Sequence, residues 1–155
     1  MYPLSDDPDK RAIRRRGYMA AVTCMDDAIG ELLGLLDKYG LAERTIVVFF
    51  SDNGGGGGAA NAPLRGGKSR MFEGGIRVPC IVSWPGRIPQ GAVRSRMAAS
   101  IDWMPTIAEY CGVELPPRKI DGKSIVSVIE SDDAPSPHEV FHWEISKHWA
   151  VRQGD

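Results

Sequence analysis

The sequence has 155 residues, 43% hydrophobic and 25% charged, with 19 Lys and Arg set against 20 Asp and Glu for a formal net charge of -1. A domain commonly takes roughly 100–200 residues, so the length predicts one soluble globular unit, which at this size buries roughly 68–70% of its unfolded surface. The balanced charge excludes a field strong enough to draw nucleic acid or an anionic membrane, and the composition excludes collagen, coiled coil and disulfide-stapled miniproteins. The 18 glycines and 11 prolines stay below the roughly 25–30% share that marks low-complexity disorder; they predict long shaped loops.

The first predicted element is a helix over residues 8–39. Val22, Met25, Ile29, Leu32, Leu33 and Leu36 recur at the spacing that builds one apolar stripe, and that stripe is expected to be buried. Asp26 and Asp27 lie inside the helix rather than at a strand end, so they are expected on its surface, as is the basic run Arg14, Arg15 and Arg16. Gly40 follows Tyr39 where helices commonly close in the left-handed conformation. The charged segment MYPLSDDPDKRAIRRRGYM carries no secretory apolar region, and no run approaches the roughly 18–20 apolar residues of a membrane span. Neither a targeting signal nor a span is expected, and the compartment is not legible.

Thr45 to Phe50, TIVVFF, lacks polar alternation and suits a strand covered on both faces, as in a parallel sheet flanked by helices. Helix, short turn and buried strand make half of an α/β unit. The strand runs into Ser51, Asp52, Asn53 and five glycines, Gly54 to Gly58. Open α/β sheets place their sites at such carboxyl ends. Residues 54–77 read as one long loop, a feature that in compact domains carries function or is disordered. Val78 to Ser83 predicts a second strand. Asp102 is expected to cap a short helix over Trp103 to Cys111, with Pro105 in its first turn and Gly112 as its stop. A further short helix is expected over 124–130, then a turn-rich connector, Ser131 to Pro137. EVFHWEI and HWAVR predict two strands of a small antiparallel piece. A start on an amphipathic helix and an end soon after the last strand are what an excerpt from a larger protein would show.

Cys24, Cys80 and Cys111 form no CxxC pair and no disulfide framework, and are expected to be small buried hydrophobes. Gly54, Gly56 and Ala59 satisfy a dinucleotide pattern, but its physics needs a helix amino end at the pyrophosphate, which Asn61, Pro63, Gly66 and Gly67 forbid. Gly67-Lys68-Ser69 resembles the end of a P-loop, yet Ala62 stands where its first glycine belongs and Pro63 lacks a cradle N–H. Asp52-Asn53 reads either as an Asx-turn or as two hard oxygen ligands for Ca²⁺ or Mg²⁺. Lys68, fifteen residues after Asn53, reads either as a solvated lysine or as part of an electropositive pocket for an oxyanion. His138, His142 and His148 are expected to be ordinary side chains rather than bases, with substrate recognition as the alternative.

The stretches SDNGG, PLRGGKSRMFEGGIRVP, SWPGRIP, SIDWMPTIAEYCGVELP and IDGKS, in that order, resemble the carboxyl-terminal half of sulfatases of the arylsulfatase type. The likeness runs from about Tyr18 to Gly122, and WAVRQGD resembles a later family segment. It implies an α/β fold, part of an alkaline-phosphatase-like sandwich with a mostly parallel sheet, and sulfate-ester hydrolysis. Residues 1–137 would be the C-terminal part of the catalytic domain, and 138–155 the start of a small antiparallel subdomain. By the same resemblance, Asp52 and Asn53 correspond to two calcium ligands and Lys68 to the lysine that contacts the sulfate and the leaving-group side. Glu73 to Pro79 corresponds to a scaffold motif, with a buried Glu73–Arg77 pair expected to orient the loop.

Sulfatases of this type carry their nucleophile in C-x-P-S-R or S-x-P-S-R, whose Cys or Ser becomes formylglycine. Neither motif occurs here: Cys24 precedes Met-Asp, Cys80 precedes Ile-Val and Cys111 precedes Gly-Val. The early acidic pair, the upstream lysine and the catalytic histidines are not identified either. Ca²⁺ is the implied cofactor, formylglycine is implied only outside these residues, and this chain alone is expected to be inactive. A sulfated small molecule or glycan is the implied partner. A phosphate or phosphonate ester hydrolase of the same superfamily, or a non-catalytic binding or packing module, are the alternatives. Self-association through exposed sheet surface, or disorder of the Gly54–Gly67 loop without metal, is expected, and family members are commonly periplasmic, secreted or lysosomal.

Overall fold

The computed structural model describes residues 8–154, which divide into two compact units: residues 8–85 with 144–148, and residues 86–143 with 149–154. The first unit opens on α1 (Pro8–Lys38). Gly40, at φ +63°, ends it as expected. The Gly40 N–H donates to Asp37 O and the Leu41 N–H to Leu36 O at 2.8 Å, the double closure that a left-handed residue permits. No helix of the described residues is long and apolar enough to cross a membrane.

The apolar stripe of α1 corrects one expectation. Val22, Met25, Leu32 and Leu33 are exposed, and only Ile29 and Leu36 of the stripe are half-buried. The spacing made the stripe, but burial needs a facing layer, and the described part of this unit lays none along it. Contact reaches α1 at Gly58, where an added Cβ would meet the Arg14 carbonyl oxygen at 2.8 Å.

β1 (Val47–Phe50) pairs with β2 (Cys80–Ser83) from Val47–Ser83 to Phe50–Cys80. The pairing is antiparallel, so these two strands do not supply the parallel neighbours expected of TIVVFF. A two-stranded ribbon also covers little: Phe50 and Ile81 are exposed and Val47 to Phe49 only half-buried. An unalternated apolar run reports that both faces want covering; it says nothing of which strand lies alongside. Trp84 Nε1 donates to the Glu43 carbonyl at 2.8 Å, tying the end of β2 to the 3₁₀ turn Ala42–Arg44 that precedes β1.

The second unit carries α3 (Trp103–Cys111), α4 (Val126–Glu130) and the larger part of β3 (Val140–Ile145) and β4 (His148–Gln153), residues 144–148 of that hairpin being counted with the first. β3 and β4 pair across only two residues, Ser146 and Lys147, which restricts them to an antiparallel hairpin. α3 ends at Gly112, φ +63°, with the Val113 N–H on Ala108 O. The core holds Ile88, Met97, Ile125, Val128 and Ile129 around three buried polar side chains, Asp102, Thr106 and His138.

Those polar groups replace a simple helix cap. Asp102 stands at the cap position of α3, but its carboxylate makes no cap bond. Instead Oδ2 accepts from Ala99 N–H at 2.7 Å, and Oδ1 accepts from Lys123 N–H at 2.9 Å and lies 2.7 Å from His138 Nε2. Thr106 Oγ1 donates to the Asp102 carbonyl at 2.6 Å and accepts from Ile125 N–H at 3.0 Å. Side chains lace the two flanking segments together. Arg94 Nε donates to the Val128 and Ile129 carbonyls at the end of α4, satisfying acceptors that a helix end orphans. Ser136 Oγ donates to Met97 O at 2.7 Å. The three cysteines are exposed, not buried as expected, because among the described residues no layer covers the helix and strand surfaces bearing them.

Burial pushes the Tyr110 hydroxyl on α3 up to about 12, with Glu130 and Glu109 adding to the shift. Because the folded value lies above the ordinary 10, the associated stability is fully present below pH 10 and is lost as the pH rises through 12. Ultraviolet titration should show one of the four tyrosines ionising near pH 12, and Glu130→Gln should bring it earlier; a single wave near 10 would contradict the α3–α4 packing.

Candidate metal and anion site

The first unit places the strand-end residues and the glycine loop together. Ser51 N–H donates to Pro79 O at 3.3 Å, carrying the β1–β2 pairing one residue past the strands. Ser51 Oγ then donates to Asn53 O at 2.9 Å, turning the chain. Asn53 Nδ2 donates to Asp52 Oδ1. That bond uses the amide's donor side, so the carboxylate and the Asn53 Oδ1 remain two adjacent hard oxygen donors at the carboxyl end of β1. Asp52 is exposed and Asn53 half-buried.

Beyond Asn53 the backbone from 54 to 72 forms no helix, so neither the dinucleotide nor the P-loop pattern has the helix its chemistry requires. What shapes the loop is close backbone crossing. Gly54 N–H donates to Gly75 O at 2.9 Å, and Gly74 N–H to Arg65 O at 2.7 Å. A Cβ on Gly54 would stand 1.8 Å from Gly74 O, and one on Gly75 would stand 1.9 Å from Arg70 O. Glycine is required there because other residues would occupy a carbonyl's space.

Lys68 is held in this stack by its backbone. Its N–H donates to Gly55 O at 3.2 Å, and a Cβ on Gly56 would meet Lys68 Cβ at 3.1 Å, so the base of the lysine lies against the loop two to three residues from Asn53. Its side chain is exposed. Asn61, which sequence reasoning missed as a site residue, grips Gly55 from the other side: Oδ1 accepts from Gly55 N–H at 2.9 Å and Nδ2 donates to Gly55 O at 2.8 Å. The available signal was an asparagine just before Ala-Pro inside a glycine loop, a residue type that readily bonds backbone. Arg65 stacks its guanidinium 4.0 Å from the Phe72 ring centroid.

The Glu73–Arg77 pair forms across α2 (Glu73–Ile76), with Arg77 Nη1 3.6 Å from Glu73 Oε2. It is not buried: the side chains are 63% and 42% exposed. At that exposure the ion pair contributes at most about 1 kcal/mol. The buried members of the motif are Gly74 and Gly75, so backbone contact orients the loop. Asp26 and Asp27 lie exposed on α1, as expected. His138 is buried against Asp102, while His142 and His148 lie exposed on β3 and β4.

Among the described residues no group of three His, Cys, Asp or Glu side chains forms a metal-holding cluster. Asp52 and Asn53 suit Ca²⁺ in chemistry, being neighbouring carboxylate and carboxamide oxygens. In number they are part of a shell, since Ca²⁺ takes 6–8 oxygen ligands.

The family model described as Sulfatase matches residues 3–113. The chain belongs to the sulfatase family. Steryl-sulfatase of Mus musculus is 38% identical over 147 residues, covering 87% of this chain and 24% of that protein. The solved structure of Ps i-CgsB in complex with k-i-k-neocarrahexaose aligns with a TM-score of 0.84 at 29% identity, over 98% of this chain and 37% of that one. The structure of BT4656 in complex with its substrate D-glucosamine-2-N,6-O-disulfate aligns at 0.69 and 28% identity, over 88% of this chain and 29% of that one. The structural neighbours are sulfatases and share the alkaline-phosphatase-like fold, of which this chain forms a part. The chain spans about a quarter of the length of the steryl-sulfatase it matches.

Proposed function

We propose that these residues supply part of the site of a sulfuric ester hydrolase, with Asp52 and Asn53 as calcium ligands and Lys68 as the cation that meets the sulfate and the leaving oxygen. The observation that carries this reading is the Lys68 N–H bond to Gly55 O at 3.2 Å, which sets the lysine beside the loop that leaves the strand-end acid–amide pair. A divalent ion bound at that pair would supply Lewis acidity toward sulfate oxygens. Lys68 is a point charge on a flexible stem; it would bind the ester's anionic oxygens and offset charge that grows as the sulfur–oxygen bond opens.

The substrate class is a sulfate ester on a small molecule or a glycan, in keeping with the sugar ligands of Ps i-CgsB and BT4656. Residues 138–155 would begin a small antiparallel subdomain after a catalytic portion ending near 137, and a mostly parallel sheet would be completed by strands beyond β1 and β2. Since neither C-x-P-S-R nor S-x-P-S-R occurs in the 155 residues, this chain alone should turn over no sulfate ester.

Lys68 gives the test. In a full-length sulfatase carrying this segment, Lys68→Ala should cut kcat/KM on an aryl sulfate by about 10²–10³, the effect of removing one preorganised charge-stabilising contact. Paired assays on aryl sulfate and aryl phosphate check the ester class. Wild-type-like turnover by Lys68→Ala would remove the lysine from the chemistry, and preferential phosphate hydrolysis by the parent enzyme would assign it to phosphate esters.

A further inference from the structure

We propose that Asn61 is the positioning residue for Lys68, acting through the backbone N–H and C=O of Gly55. The inference rests on the role just given to Lys68 and adds the residue that sets it in place. Asn61 sits in irregular backbone between β1 and α2, yet its side chain meets both backbone polar groups of one residue. Oδ1 takes the Gly55 N–H at 2.9 Å, and Nδ2 gives a hydrogen to the Gly55 carbonyl at 2.8 Å.

That carbonyl also accepts from Lys68 N–H at 3.2 Å. A carbonyl oxygen has two lone pairs, so Asn61 and Lys68 use both of them. The residue before Lys68 is fitted to the same amide: a Cβ on Gly67 would meet Asn61 Nδ2 at 2.8 Å and Gly55 O at 2.6 Å. Asn61 thus fixes both peptide planes that meet at the Gly55 Cα, and the direction of the Gly55 carbonyl fixes where the Lys68 backbone docks. Without the side chain the two peptides about Gly55, which has glycines on both sides, have wide rotational freedom, and the lysine loses its anchor while the Asp52-Asn53 end of β1 keeps its own bonds. A displacement of about 1 Å at a reacting group costs about 10²-fold in rate.

The experiment is a double-substitution cycle in the full-length sulfatase carrying this segment, assayed on an aryl sulfate. Asn61→Ala should lower kcat by about 10–100-fold with KM changed by less than about 3-fold. Added to Lys68→Ala, it should lower kcat by less than about 2-fold further, because a residue that acts through Lys68 has nothing left to position. Independent, multiplying losses would overturn the proposal while leaving the lysine's role intact. An unimpaired Lys68→Ala enzyme would overturn both. Hydrogen exchange on the same proteins keeps the question decidable if activity is lost through folding: Asn61→Ala should deprotect residues 62–70 and leave the β1–β2 amides protected, and equal deprotection of both would reduce Asn61 to general scaffold.

Discussion

Asp102→Ala is expected to destabilise the second unit strongly, because it removes a buried acceptor shared by three partners. Its carboxylate is completely buried and takes three contacts of 2.7–2.9 Å from Ala99, Lys123 and His138. Alanine strands two backbone N–H groups and an imidazole nitrogen in a space closed to water, each at about 1–3 kcal/mol. Domains hold only about 5–15 kcal/mol in total, so this single change removes a large share. Asp102→Asn should cost less, since one oxygen acceptor survives, while its amide still opposes a donor. His138→Phe should be intermediate: it keeps the contact surface toward Phe141, 5.1 Å away between ring centroids, and takes one of the carboxylate's three partners. Urea melts followed by hydrogen exchange in α3 check the series. A loss below about 1 kcal/mol for Asp102→Ala would mean that water reaches the carboxylate and that the network is not what closes this unit.

What could be read from the sequence follows from how far each interaction reaches along the chain. α1 and α3, with their glycine stops at Gly40 and Gly112, were legible because a helix end is decided within one turn. The strand cores at 47–50 and 80–83 were legible from their β-branched runs. Their antiparallel pairing was not, since the register joins residues some thirty apart and apolar content is indifferent to direction. Burial failed for a related reason: Val22, Met25, Leu32 and Cys24 have the composition of an inner face, but the layer that would cover them is not among the described residues. Asp102 illustrates the opposite error. Its local position suggested a helix cap, whereas partners at Lys123 and His138 draw the carboxylate inward. At the site, Asp52, Asn53 and Lys68 came from residue type and resemblance. Asn61 and the stack of Gly54, Gly74 and Gly75 were hidden, because a backbone crossing leaves no mark in hydrophobic pattern beyond an excess of glycine.

Gly75→Ala is expected to be among the most damaging single-methyl additions in the first unit. The new carbon would stand 1.9 Å from Arg70 O and 2.5 Å from Gly67 O. Both are backbone atoms, so neither can swing aside as a side chain would. Overpacking commonly costs about 1–3 kcal/mol, and here relief requires the 65–70 segment to move away from the 74–75 segment. That movement breaks the Gly74 N–H bond to Arg65 O and carries Lys68 off Gly55, so turnover in a full-length enzyme should fall at least as far as in Lys68→Ala. Gly30→Ala is the matched control. An added methyl there meets nothing within 4 Å, and it should stabilise α1 by up to about 1 kcal/mol, the helix preference of alanine over glycine. Thermal midpoints and aryl-sulfate turnover of the two variants, measured side by side, separate the effects. Equal midpoints together with equal turnover would mean that the loop yields at Gly75 without consequence, and that close glycine packing does not hold the lysine beside the strand-end pair.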